Sequence, residues 1–127
     1  MTTAITTVCI LDADPAVRDS LEVLIDLSDL TVRSFASIHS FLGSLESINV
    51  GCLLCAAEMP DGNGIDLFVR LDRMHAHFPF ALLISENRLM TQQRAIAAGI
   101  LNIFRKPIVN PASLLQFIQG SKIPDGS

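Results

Sequence analysis

Four side chains in this sequence have types suited to phosphate and cation chemistry, and each closely follows a short apolar run. Asp12 and Asp14 offer carboxylates after Val8–Leu11. Ser85 offers a hydroxyl after Phe80–Ile84. Lys106 offers an ammonium just past Ile100–Phe104. An ammonium and a hydroxyl can grip phosphoryl oxygens, and carboxylates can hold a hard cation. The run between these, Val50–Ala57, ends in Ala56 and Ala57 and supplies no such group. A phosphoryl group would find nothing there to attach to.

The elements that must position these side chains follow from spacing. The five runs Val8–Leu11, Leu30–Phe35, Val50–Ala57, Phe80–Ile84 and Ile100–Phe104 read as strands, several of them covered on both faces. Segments with helical spacing lie between them. Pro15–Ser28 places Val17, Leu21, Leu24 and Ile25 on one face, with Asp14 as N-cap and Pro15 at the first position. Ser37–Leu45, Gly64–Met74 and Glu86–Ala98 follow, the last stopped by Gly99. Asn110-Pro111 opens a final helix through Leu114, Leu115 and Ile118. Strand–helix repeated five times predicts an α/β fold: a doubly wound parallel sheet of order 2-1-3-4-5 with helices on both faces. In such sheets a site forms beyond the carboxyl ends of the strands, which is where the four side chains fall.

Composition narrows the class. With 127 residues, half of them apolar, the chain can bury a core as one domain without disulfides. Thirteen acidic against nine basic residues leave a charge of −4, which argues against a nucleic-acid surface on this segment. The longest apolar run, Phe78 to Ile84, is far below the roughly 18 residues a membrane span needs. The start lacks the basic and apolar regions of a signal peptide, so a cytoplasmic protein with reduced cysteines is expected. The small, turn-forming residues 120–127 read as a flexible tail or the start of a linker to an output domain.

The motifs Ile-Leu-Asp12-Ala-Asp-Pro-Ala-Val-Arg18, Met59-Pro60-Asp-Gly-Asn-Gly64, Leu-Leu-Ile-Ser85, Ala98-Gly99 and Phe-Arg-Lys106-Pro107, in this order, resemble the receiver domain of two-component response regulators over residues of about 6 to 119. The phrase Asp-Pro-Ala-Val-Arg most resembles receivers that precede helix-turn-helix output domains. The resemblance implies a phosphorelay signalling module with a flavodoxin-like fold, not an enzyme. It implies an aspartate after the third strand that accepts phosphate from a histidine kinase. It also implies an acidic pair that holds Mg²⁺, with Ser85 and Lys106 gripping the phosphate. It further implies a cis bond before Pro107.

Three departures modify what is implied. The matched acceptor position is Ala56, the second acid is Ala13, and the aromatic switch position is Ile103. The vacated ligand positions Ala13 and Ala56 leave Asp12, and Mg²⁺ binding is expected to be weak or absent. Asp14, already placed as a cap, is not expected to substitute. Glu58 and Asp61, in the following loop, lack in-line geometry. The expectation is a degenerate receiver with an Asp12–Lys106 ion pair, a fold that needs neither Mg²⁺ nor phosphate, and a small, weakly acidic pocket. It would act as an interaction module; a phosphoacceptor with a non-standard acid set is the alternative. A small-molecule-binding domain of the same architecture is less favoured, since Pro15 closes the turn where a phosphate loop would lie.

Other residues have plainer readings. Cys52 and Cys55, three apart on a strand, point to opposite faces and read as buried thiols, as does Cys9. His75 and His77 read as surface loop, with no metal site. Arg88, Leu89, Met90, Ile103 and Arg105 lie on the fourth-helix and fifth-strand face. By the resemblance, that face is a candidate interface for a kinase, an output domain or a second copy.

Overall fold

The computed structural model describes residues 6–85 and 88–122. Five parallel strands form one sheet: β1 (Thr7–Leu11), β2 (Thr31–Phe35), β3 (Val50–Ala56), β4 (Phe80–Ser85) and β5 (Asn102–Lys106), in the order β2-β1-β3-β4-β5. The helices are α1 (Pro15–Leu27), α2 (Ile38–Ser44), α3 (Gly64–Arg73), α4 (Leu89–Ala98) and α5 (Pro111–Lys122). The expected doubly wound order is therefore the observed one.

The apolar alternation divides the core into two layers. Cys9, Leu11, Leu53, Cys55, Leu82 and Ile84 face α2, α3 and α4 through Phe41, Leu67, Leu71 and Ala95. Val8, Ile10, Cys52, Leu54, Ala81 and Leu83 face α1 and α5 through Leu21, Ile25, Leu114 and Ile118. Side chains on a strand alternate between faces, so Cys52 and Cys55 lie in opposite layers, both buried. Sheet edges are less covered: β2 alternates exposed and half-buried residues until Phe35.

Local chemistry sets the helix ends. Asp14 caps α1 through the Ala16 N–H, and Asn63 caps α3 through the Asp66 N–H. Asn110 Oδ1 accepts from the Ala112 N–H at the head of α5. Three helices stop in the same way. The residues Asp29, His75 and Gly99 take positive φ. The next N–H in each case reaches five residues back: Leu30 to Ile25, Ala76 to Leu71, and Ile100 to Ala95. This is the Schellman pattern, which satisfies otherwise orphaned carbonyls.

Some expected boundaries move. The last strand spans 102–106 instead of 100–104, because Ile100 belongs to the stop of α4 and pairing with β4 begins at Asn102. Lys106 is consequently the last residue of β5, not one beyond it. Helix α4 opens at Leu89, with Arg88 in the cap position and no side-chain cap bond. Glu86, expected to open it, lies outside the described residues. Helix α5 continues to Lys122, so residues 120–122 extend the helix instead of forming a tail. The rest of the expected tail lies outside the described residues.

Candidate functional site at the carboxyl edge of the sheet

Strands β1 and β3 run parallel with Leu11 opposite Cys55. Asp12 and Ala56, the next residue on each, stand side by side at the carboxyl edge. On β4 and β5, Ser85 is opposite Lys106. The fold thus gathers all four positions at one edge.

Asp12 is almost wholly buried, and each of its carboxylate oxygens has a partner. Oδ2 accepts from Lys106 Nζ at 2.8 Å, and Oδ1 accepts from the Asp14 backbone N–H at 3.0 Å. The expected ion pair is present, with the lysine side chain 21% exposed. A buried carboxylate is tolerated only with such partners. Asp14 does not join it: its Oδ1 takes the Ala16 N–H at 2.9 Å.

Arg18 was legible in the motif but not its contact. Its Nη1 donates to the Asp12 carbonyl at 2.8 Å and to the Ala13 carbonyl at 3.1 Å. A guanidinium presents several donors in a fixed fork, and here it wraps the turn between β1 and α1. One positive side chain thus engages the carboxylate and another the carbonyls of the same turn.

Ala56 ends β3 at 1% exposure. Above it the chain makes a short antiparallel hairpin, Glu58–Met59 with Gly62–Asn63, before α3. Gly64 N–H donates to the Ala57 carbonyl at 2.9 Å. A Cβ on Gly64 would stand 2.7 Å from the Ala56 carbonyl oxygen and 2.6 Å from Leu82. Only glycine lets the head of α3 come this close.

Both carboxylates of the hairpin already have partners. Glu58 pairs with Arg88 at 3.2 Å. Asp61 receives the backbone N–H groups of Ile38 and His39, at 3.0 and 2.9 Å. Those bonds, the His39 one foremost, hold the Asp61 carboxyl below the usual range. This clamp between the hairpin and the head of α2 has no signal in the sequence, because its partners are backbone groups 22 and 23 residues away.

A cavity of about 80 Å³ remains beside the edge, lined by Ala57, Glu58, Ser85, Arg88, Thr91 and Lys106. A larger groove of about 410 Å³ lies on the other side of Lys106, between α1 and Pro107–Pro111. Its lining is mainly apolar and holds none of the acids. The Lys106–Pro107 bond is cis.

The remaining candidates fall apart in space and role. Burial pushes the Cys9 thiol up to about 11 and the Cys55 thiol higher still, where the Asp12 carboxylate adds to the effect, so neither is activated. His75 is the left-handed stop of α3, and His77 meets Asp72 at 3.1 Å. Among the described residues, no group of three or more His, Cys, Asp or Glu side chains is arranged to hold a metal ion. Leu89 and Met90 are exposed, Ile103 is half-buried against the core, and Arg105 reaches Gln92 at 3.5 Å. No described helix is long and apolar enough to cross a membrane.

The sequence profile of the response regulator receiver domain matches residues 8–119. The chain belongs to the response regulator receiver domain family. The receiver is 29% identical over 98 residues to the transcriptional regulatory protein FixJ of Bradyrhizobium diazoefficiens, covering 77% of this chain and 48% of that protein. It is 31% identical over 98 residues to the response regulator protein TodT of Pseudomonas putida, covering 77% of this chain and 43% of that one. The receiver thus spans about half the length of these curated relatives. Among solved structures, full-length FixJ from B. japonicum superposes with a TM-score of 0.83 at 26% identity, covering 94% of this chain and 59% of that one. A CheY-like receiver from Methanospirillum hungatei shares the fold, with a TM-score of 0.80 at 22% identity over 92% of this chain and 93% of that one.

Proposed function

We propose that this receiver does not run an aspartyl-phosphate cycle at position 56 and serves a two-component system as a protein-interaction module. The observation that carries this is the methyl group of Ala56 at the end of β3, beside a lysine already bound to Asp12 at 2.8 Å. A methyl has no lone pair to attack a phosphoryl donor, and the cation that would hold the product's oxygens is committed to a carboxylate.

Mg²⁺, which the family implies, does not fit this donor set. The cation demands near-octahedral oxygen ligands. Positions 13 and 56 contribute methyls, each Asp12 oxygen is already engaged, one by an ammonium and one by an amide, and the Asp12 and Ala13 carbonyls accept from Arg18. Glu58 and Asp61, the acids nearest in sequence, are engaged with Arg88 and with the head of α2. These engagements favour an inert site over an alternative phosphoacceptor.

By analogy with its relatives, the receiver works in the cytoplasm. In a whole protein built like the transcriptional regulatory protein FixJ, of which this chain covers 48%, it serves an output domain that regulates transcription. Intact-mass spectrometry after incubation with Mg²⁺ and acetyl phosphate tests the reading, with an active receiver as control. The expected result is a phosphoryl adduct on the control and none on this chain. A labile adduct here would refute it.

A further inference from the structure

A cavity of about 450 Å³ lies between α2, the hairpin and α3, lined by Ile38, His39, Leu42, Gly43, Asp61 and Arg70. It shares no residue with the cluster of Asp12, Ser85 and Lys106. Residues three and four apart on a helix lie on the same face. Ile38 and Leu42, buried and half-buried, therefore give the α2 wall an aliphatic surface, and the two charged groups come from the hairpin and α3.

Those two charges do not pair with each other. Asp61 is exposed, and each of its oxygens accepts one amide, from Ile38 and from His39. A carboxylate has about four lone-pair sites, so each oxygen keeps capacity for one more N–H donor, though not for a metal that needs several oxygen ligands. The same amides hold Asp61 in its charged form. Arg70 is exposed on α3. Asp66, one turn earlier on that helix, takes the Asn63 side-chain amide at 2.9 Å. Among the described residues the Arg70 guanidinium has no hydrogen-bond or ion-pair partner.

Gly43 is a second, independent observation. It lies within α2, and glycine in a helix is destabilising relative to alanine. Neither usual reason for glycine holds here. Its φ is not positive, and a Cβ would meet nothing within 4 Å. The backbone does not need this glycine, but the cavity does: any longer side chain there would project into open space on the cavity wall.

We propose that this cavity binds a small zwitterion of the α-amino-acid class with an aliphatic side chain. The Arg70 fork takes the carboxylate, Asp61 accepts from the ammonium, and the side chain lies on Ile38 and Leu42 past Gly43. An apolar wall with a few placed polar groups is the usual make-up of a small-molecule site. A simple anion would face Asp61 and a simple cation would face Arg70, so the paired charges select a ligand that carries both. The proposal goes beyond the interaction-module reading and does not depend on it.

The probe is leucine, titrated into the isotope-labelled protein and followed by amide NMR. Saturable shifts centred on His39, Leu42, Gly43, Asp61 and Arg70 are expected in the millimolar range. Leucinamide, which lacks the carboxylate, and N-acetylleucine, which lacks the ammonium, should each bind about tenfold more weakly. Arg70→Gln should erase the preference for leucine over leucinamide, and Asp61→Asn the preference over N-acetylleucine, which a purely structural role would not do. Gly43→Leu should abolish binding without lowering the urea midpoint, and far-UV circular dichroism checks that the variants fold. No shifts near the solubility limit of leucine, equal binding of the three compounds, shifts confined to another face, or unchanged binding by Gly43→Leu would each overturn the proposal. A phosphoryl adduct in the mass experiment would sink the inert-site reading but leave this site standing.

Discussion

Two neighbouring strand ends do opposite things. At the end of β1, Asp12 is buried and accepts from an ammonium and an amide, while its carbonyl accepts from an arginine. At the end of β3, Ala56 is equally buried and contributes only a methyl. An acid can be kept for the partners that depend on it as well as for catalysis. Asp12 is such an acid: removing it would strand Lys106 and leave the Asp14 N–H without its carboxylate. Position 56 has no such dependents; what the head of α3 approaches there, at Gly64, is its backbone carbonyl.

The contrast breaks first at its charged end. Lys106→Met should cost about 3 kcal/mol in urea unfolding, because it leaves an uncompensated buried carboxylate. Adding Asp12→Asn should recover most of that loss, since the amide still accepts from Asp14 and no charge remains to be stranded. A double variant no more stable than Lys106→Met would mean the pair acts through packing instead of charge.

The alanine end gives a smaller effect. Ala56→Asp should cost about 1 kcal/mol at neutral pH, as a second carboxylate is pressed beside Asp12 and Lys106 offsets only part of the repulsion. Millimolar Mg²⁺ should recover stability in this variant and leave the unsubstituted protein unchanged. An equal rise in both urea midpoints would show that the metal acts elsewhere.

Asp61 extends the comparison to a solvent-exposed carboxylate. Its folded-state value is depressed below that of the unfolded chain by the His39 and Ile38 amides, so its contribution belongs to the charged form. That contribution is complete above the unfolded value, about 3.9, and is lost as pH falls through the lower folded one. The urea-midpoint difference between the protein and Asp61→Asn should be small, constant above about pH 5, and shrinking toward pH 2. A difference that persists unchanged in acid would assign the role to shape instead of charge.

Much of this was legible in the sequence, for identifiable reasons. The apolar runs gave the strands because parallel strands are buried on both faces, and the order followed from the strand–helix alternation. Asp12, Ser85 and Lys106 could be assigned to one edge because topology alone sends strand ends there. Asp14 and Gly99 announced helix ends through local hydrogen bonding. What escaped was non-local or backbone-mediated. Arg18 binds carbonyls, which every residue has, and Asp61 clamps amides on another helix. The last strand was placed two residues early because Ile100 is apolar for the sake of a helix stop, a demand that hydropathy cannot separate from strand burial.

The Asp12–Lys106 bond joins residues 94 apart in sequence, from the first strand-to-helix turn of the fold to its last strand. In terms of chain assembly it is among the latest contacts the molecule can make. A growing chain cannot form it until Lys106 has been added, and a refolding one cannot form it until β5 has docked on β4. Until then Asp12 is a carboxylate whose cation has not arrived. The closed state of this edge therefore reports completion of the whole sheet, because it needs the first strand and the last in place at once.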